Sequence, residues 1–317
     1  MLIWDFSDHK QRYEREYGGV SGRKLDIEID GEKWFLKFPG NIRDQVNDMS
    51  YSSSPLSEYI GSHIYQMLGY SVHDTRLGVY NNKLVVACKD FVQEGMSLVE
   101  FGKLKTTFVP DFLDSTGNET NGNGTDLEDV LQTIRRHPVL KNIPNIVDYF
   151  WNMFVVDAFI GNNDRNNGNW GVLRAADGSL SISPVYDNGA SLLPKSSLEK
   201  IVKNANDPAA FANIAYKGTI CIFKLNDHLI NPIKFLRNTT DPDCLAAIEK
   251  NISLIRDRMS QIREFICEIP ESFKGVDVQP QIIRDFHIKL LEQRLEYGLM
   301  PIFENMKRHK IEHEIEI

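Results

Sequence analysis

The densest run of polar side chains is Gly161-Asn162-Asn163-Asp164-Arg165-Asn166-Asn167-Gly168-Asn169-Trp170-Gly171, and it begins where an apolar stretch ends. Asn and Gly accept left-handed backbone and bond locally, so such a run is either a long turn or a functional loop on a rigid mount. A second acidic position, Asp187, follows 23 residues later in Ser183-Pro184-Val185-Tyr186-Asp187-Asn188-Gly189. A hairpin through Asp177-Gly178 is long enough to return Asp187 to the side of Asp164. Phosphoryl transfer needs an Asp that orients or deprotonates the attacking hydroxyl, an Asn for a metal ion, and a second Asp that holds Mg²⁺ against nucleotide phosphates. Asp164, Asn169 and Asp187 supply those side chains in that chain order. The bland alternative for Asp187 is a turn carboxylate that caps its own loop.

Such chemistry also needs a nucleotide site, and the first ninety residues offer one. Gly18, Gly19, Ser21 and Gly22 precede a strand; no Gly-Lys-Ser/Thr opens a helix after them, so this is not a Walker A loop. Glycines before a β-hairpin suit a cover whose N–H groups approach phosphate. Lys37 stands among Trp34, Phe35, Leu36 and Phe38. It either meets the α/β-phosphates or snorkels from an edge strand. Removing it is expected to weaken nucleotide binding with little loss of fold. Glu58 lies opposite Ile60 and Met67 on a helical wheel, so it either faces the cleft and pairs with Lys37 or is solvated near a helix N-terminus. Lys89, Asp90 and Phe91 lie in a hinge whose backbone is available to an adenine edge, and Tyr186 borders the same nucleotide site.

The elements that position these residues are legible as patterns. Leu25, Ile27 and Ile29 alternate with acids, Asp30-Gly31 is a hairpin signal, and Trp34 to Phe38 returns as the partner strand. A helix follows, with Ser54 as N-cap, Pro55 at its first position and Gly69 beyond its end. Strands Arg76 to Tyr80 and Lys83 to Lys89 are joined by Asn81-Asn82. Asp114 to Thr125 reads as a flexible polar loop. Helical patterns then cover Leu127 to Arg136, Ile146 to Ile160, Asp243 to Phe265, Gln279 to Tyr297 and Ile302 to Lys310. No internal repeat is present. The expected architecture is α+β with two unequal lobes, residues 1–91 strand-rich and 92–317 mainly helical.

The 317 residues carry 36 Lys+Arg against 44 Asp+Glu, a net charge of −8, which argues against a general nucleic-acid coat. The basic clusters Arg135-Arg136 and Lys307 to Lys310 are short and read as solvated helix ends. No window approaches a membrane span, and Met1 to His9 lacks a signal peptide's regions. Cys88, Cys221, Cys244 and Cys267 have no metal-ligand spacing and read as reduced thiols of a cytoplasmic protein. A secreted or translocated effector stays open. Of the eight His, only His309 and His313 stand within four positions of each other, which disfavours a metal hydrolase.

Gly-Asn-Asn-Asp164-Arg-Asn-Asn-Gly-Asn169-Trp followed by Ser-Pro-Val-Tyr-Asp187-Asn-Gly resembles the HipA-like serine/threonine kinases of bacteria, in particular their short CtkA-like branch. The glycine segment and the hairpin ending Trp-Phe-Leu-Lys37-Phe-Pro fit the same branch. The resemblance implies a protein-kinase-like fold that binds ATP and Mg²⁺ and phosphorylates a protein Ser or Thr. Asp164 is then the base, Asn169 and Asp187 the metal ligands, and Lys37 the phosphate lysine. Autophosphorylation is expected on polar loops, with Ser21 and Ser52 to Ser54 the first candidates.

Two departures accompany the likeness. Asn166 stands where many HipA-like kinases have His, and Gly19 stands where toxin kinases carry a regulatory serine. With only a short stretch before Gly18, the family's antitoxin-contacting subdomain is expected to be absent, and an antitoxin or other regulatory partner stays open. Two competing readings remain at this level: a phosphatidylinositol-kinase-like lipid kinase, and a kinase-shaped interaction module without activity. A lipid kinase wants a basic or aromatic membrane face, which this acidic chain lacks.

Overall fold

The structure, a computed structural model, describes residues 3–9, 11–12, 24–39, 54–108 and 121–315. Its first part is a six-stranded sheet of β1 (Trp4–Asp5), β2 (Gln11–Arg12), β3 (Lys24–Ile29), β4 (Glu32–Lys37), β5 (Thr75–Tyr80) and β6 (Lys83–Lys89), in the order β1-β5-β6-β4-β3-β2. All pairings are antiparallel except β1 with β5. Both expected hairpin turns form. Asp30 and Gly31 have φ of 53° and 80°, and Asn81 and Asn82 have 46° and 58°, the paired positive angles that suit tight two-residue hairpins.

Alternation sorts the sheet into two faces. Leu25, Ile27, Ile29, Trp34, Leu36, Val85 and Ala87 pack with Phe6 as a small core on one face. Lys24, Phe35, Lys37 and Cys88 fall on the other by register. Helix α1 (Ser54–Met67) packs on that second face and buries Leu56, Ile60 and Ile64. Its core is continuous with that of the helical part, so the two lobes share apolar contacts through α1.

In the remainder, β7 (Ser97–Glu100), β8 (Gly171–Arg174) and β9 (Leu180–Ile182) form a three-stranded antiparallel sheet in sequence order. Helix α2 (Phe101–Phe108) packs on it, α3 (Leu127–Arg136) packs on α2, and α4 (Ile146–Ile160) packs on α3. Helix α4 is apolar on nearly every side, as a central core helix must be. The shorter α5 (Leu198–Ala205), α6 (Pro208–Ala212) and α7 (Pro232–Asn238) lead to α8 (Pro242–Glu268), which packs along α4. No helix among the described residues is long and apolar enough to cross a membrane.

Two expectations need correction. The helices expected to end at Tyr297 and restart at Ile302 are one continuous rod, α9 (Gln281–Gln293), a π-helical stretch Arg294–Leu299 and α10 (Met300–Ile315). The Met300 N–H reaches back five residues to the Leu295 carbonyl, so the wider turn accommodates Pro301, which has no N–H to give. The polar stretch expected to be flexible as far as Thr125 is anchored at its end. Thr125 is buried and donates to the Ile222 carbonyl at 2.8 Å; residues 114–120 lie outside the described residues.

Candidate active site

Helix α4 delivers the polar loop. Gly161 ends it at φ 68°, with its N–H on the Asp157 carbonyl, and the chain turns out of the core. Arg165 then points back inside. Its Nε donates to Asp157 Oδ2 at 2.7 Å and its Nη2 to Asp157 Oδ1 at 3.0 Å. From that anchor its Nη1 donates to the Asn169 carbonyl at 3.1 Å and to the carbonyl of Tyr186, and its Nη2 to Asn188 Oδ1 at 2.6 Å. One buried guanidinium therefore ties the loop of Asp164 and Asn169 to the loop of Asp187. Burial alone would lower the Arg165 pKa, but Asp157 outweighs it and the group stays charged.

Four asparagines of the loop hold it in place. Asn167 donates to the Gly122 and Gly124 carbonyls, both at 2.8 Å, which docks the 121–125 segment beneath the loop. Asn166 Nδ2 donates to Asp164 Oδ1 at 3.1 Å, and Asn162 Oδ1 accepts the Asp164 N–H at 3.3 Å. Asn169 Nδ2 donates to the Asp164 carbonyl at 2.6 Å. With that amide nitrogen committed, Asn169 Oδ1 is left as an acceptor. Asp164 itself is exposed, where an incoming hydroxyl can reach it. Trp170 closes the loop by stacking on Phe101 at 4.0 Å.

Lys37 joins the strand-rich lobe to this apparatus. Its Nζ lies 2.8 Å from Glu58 Oε2 and 2.8 Å from Asp187 Oδ1, a carboxylate 150 residues further along the chain. Glu58 is buried; its Oε1 accepts from His73 Nε2 at 2.9 Å and from the Asn188 N–H at 3.0 Å. Burial alone would lower the Lys37 pKa, and the Asp187 and Glu58 carboxylates outweigh it and raise it. For Glu58 burial works in the opposite sense, and Lys37 with the His73 bond holds the carboxyl well below its usual range. Asp187 has φ 62°, a left-handed angle that aims its side chain at Lys37 while its carboxylate stays 39% exposed. Asn169 Oδ1 and the Asp187 carboxylate are hard oxygen donors on two linked loops, a set that fits Mg²⁺.

The expected residues thus fall into two groups, Lys37–Glu58–Asp187 and Asp164–Asn169, joined through Arg165. Tyr186 donates its hydroxyl to the Gly168 carbonyl at 3.0 Å, and its ring lies 5.6 Å from that of Phe91, which brings the Lys89 to Phe91 segment to the Asp187 loop. Asp90 shapes the hinge turn, accepting the Val92 N–H at 2.9 Å. The side chain of Lys89 is the exception. The residue pairs in register with Trp34, on the opposite sheet face from Lys37, and its ammonium lies 2.7 Å from Glu32. Gly18, Gly19, Ser21 and Gly22 lie outside the described residues. Sequence reasoning missed Asp157, His73 and Asn188. Asp157 had a signal, a lone acid in the last turn of an otherwise apolar stretch with Arg165 eight residues on; the other two had none.

Comparison with known proteins gives the family. The HipA-like C-terminal domain family matches residues 16–232. The serine/threonine-protein kinase CtkA of Helicobacter pylori is 36% identical over 296 residues, 92% of this chain and 84% of that protein. The chain belongs to the HipA-like family, in its CtkA-like branch. The crystal structure of the proinflammatory kinase CtkA of H. pylori superimposes with a TM-score of 0.84 at 30% identity, covering 96% of this chain and 97% of that one. HipA of Shewanella oneidensis, in a toxin–antitoxin complex with HipB and operator DNA, matches at a TM-score of 0.54 and 14% identity over 94% of this chain and 68% of that one, a likeness of fold. The HipA-like, two-lobed kinase fold expected from the sequence is borne out. Within it, Asn166 still bonds Asp164 from the position where a His was expected.

Proposed function

We propose that this HipA-like chain is an ATP- and Mg²⁺-dependent kinase that transfers the γ-phosphate to a Ser or Thr hydroxyl of a protein. The observation that carries the reading is Lys37, held at 2.8 Å by both Glu58 and Asp187, so that a phosphate lysine and a metal-binding carboxylate share one point in the cleft. ATP lies between the lobes, with its adenine edge on the backbone of the Lys89 to Phe91 hinge and its phosphates toward Lys37. Asn169 and Asp187 are the residues that would hold Mg²⁺, which when bound neutralises phosphate charge. Asp164 accepts the proton of the acceptor hydroxyl; the hydroxyl oxygen bonds the γ-phosphorus, the bond to the β–γ bridging oxygen breaks, and ADP leaves. Its exposure gives a protein side chain access from solvent. The named activity of the CtkA relative supports a protein acceptor.

The test is incubation with γ-labelled ATP, with Mg²⁺ or with EDTA, alone and with a cell lysate, followed by phosphosite mapping. Label on Ser or Thr that disappears with EDTA and in Asp164→Asn is expected. Absence of Mg²⁺-dependent transfer under every condition overturns the reading, and transfer to lipid in its place selects a lipid kinase.

A further inference from the structure

Strands β3 and β4 are paired so that Lys24 sits directly opposite Lys37. Residues directly opposite in an antiparallel pair leave the sheet on the same face, with Cβ atoms about 4.5–5.5 Å apart. Two ammonium-bearing stems therefore rise side by side from the sheet face that looks onto Asp187. The Lys24 Nζ lies over the Phe35 ring at 5.7 Å, which keeps its stem against the sheet on the cleft side. Asp26 and Glu28 alternate onto the same face but pair with Phe35 and Lys33, successively farther from Lys37.

Like charges placed directly opposite destabilise a strand pair. Lys37 engages both Glu58 and Asp187 at 2.8 Å. Burial and the neighbouring Lys37 lower the Lys24 pKa, while Asp187 and Glu58 raise it, so Lys24 stands within electrostatic reach of the same acids. A pair of parallel cations beside a metal-binding carboxylate matches a polyphosphate, whose two or more anionic groups need more than one counter-charge. Lys24 is also the first strand residue after the glycine segment 18–22.

We propose that Lys24 is a second phosphate-binding lysine, which meets the nucleotide's phosphates beside Lys37. This rests on the nucleotide reading above and adds a residue to it. Charge-assisted contacts of this kind are worth enough to shift affinity about tenfold.

The experiment is calorimetric titration of the full chain with Mg²⁺-ATP, Mg²⁺-ADP, AMP and adenosine, for wild type, Lys24→Gln and Lys24→Arg. Lys24→Gln should bind ATP about tenfold more weakly and adenosine as wild type does, and Lys24→Arg should recover most of the ATP affinity. An unchanged ATP affinity in Lys24→Gln, or an equal loss for adenosine, overturns the role of Lys24 while leaving the nucleotide reading intact. A wild type that gains nothing from the phosphates overturns both.

Discussion

The guanidinium of Arg165 grips the carboxylate of Asp157 with two parallel hydrogen bonds, 2.7 and 3.0 Å long, in a place where neither side chain is more than 7% exposed. The pair joins the end of α4 to both functional loops, and Tyr65 of α1 donates to the same carboxylate at 2.9 Å. Arg165→Ala should cost about 3–5 kcal/mol, because it strands a buried carboxylate. Arg165→Lys cannot reproduce the fork and should recover little of that. Denaturant midpoints at unchanged slope measure both, and a Lys variant as stable as wild type would refute the anchor.

Asp164 and Asp187 should fail differently. In Asp164→Asn the metal oxygens and Lys37 are untouched, so Mg²⁺-ATP should still bind while transfer falls on the order of 10²–10⁴-fold. In Asp187→Asn both the metal and Lys37 lose a carboxylate, so binding and turnover should weaken together. Paired titrations of affinity and initial rate decide, and the reverse pattern would exchange the two roles.

Lys37 turns out to have a structural share as well. The expectation that its removal leaves the fold nearly untouched does not survive its contact with buried Glu58. Lys37→Ala should lose about 1–3 kcal/mol along with nucleotide affinity, since among the described residues Glu58 then keeps only His73 and the Asn188 N–H. Adding Glu58→Gln should cost less than the two single changes summed, which a double-mutant cycle measures. Strict additivity would show the pair to be energetically idle.

The same pair sets a pH dependence. The folded-state pKa of Glu58 lies below its unfolded value near 4.3, so its contribution is present above that pH and drains as the pH falls further. Lys37 is raised above its unfolded value near 10.4, so its contribution is present below that pH and is lost above it. Between about pH 5 and pH 10 both are intact. Wild type should therefore exceed Glu58→Gln in stability at pH 7, and the gap should close toward pH 3. A constant gap in unfolding titrations across that range would contradict the linkage.

Much of the architecture was legible in order along the chain, because it rests on local causes. Asp30-Gly31 and Asn81-Asn82 turn where their residue types allow positive φ, and the alternation of Leu25, Ile27 and Ile29 selects a buried face. The candidate site was legible in part for the same reason: Asp164, Asn169 and Asp187 announce themselves by type and spacing on polar loops between apolar segments. Glu58 was not. It lies away from the apolar stripe of α1, which locally allows a solvated face, yet tertiary packing buries it.

The sequence by itself determined which side chains could do chemistry and which local elements would carry them, since φ preference and hydrophobic period act over a few residues. The tertiary structure alone decided which of them meet. Lys37 reaches Asp187 across 150 residues, Arg165 binds two loops at once, and Lys89 is turned to the far sheet face by strand register. Such pairings depend on how whole elements pack and on which buried charges must be neutralised together, and no local spacing encodes that.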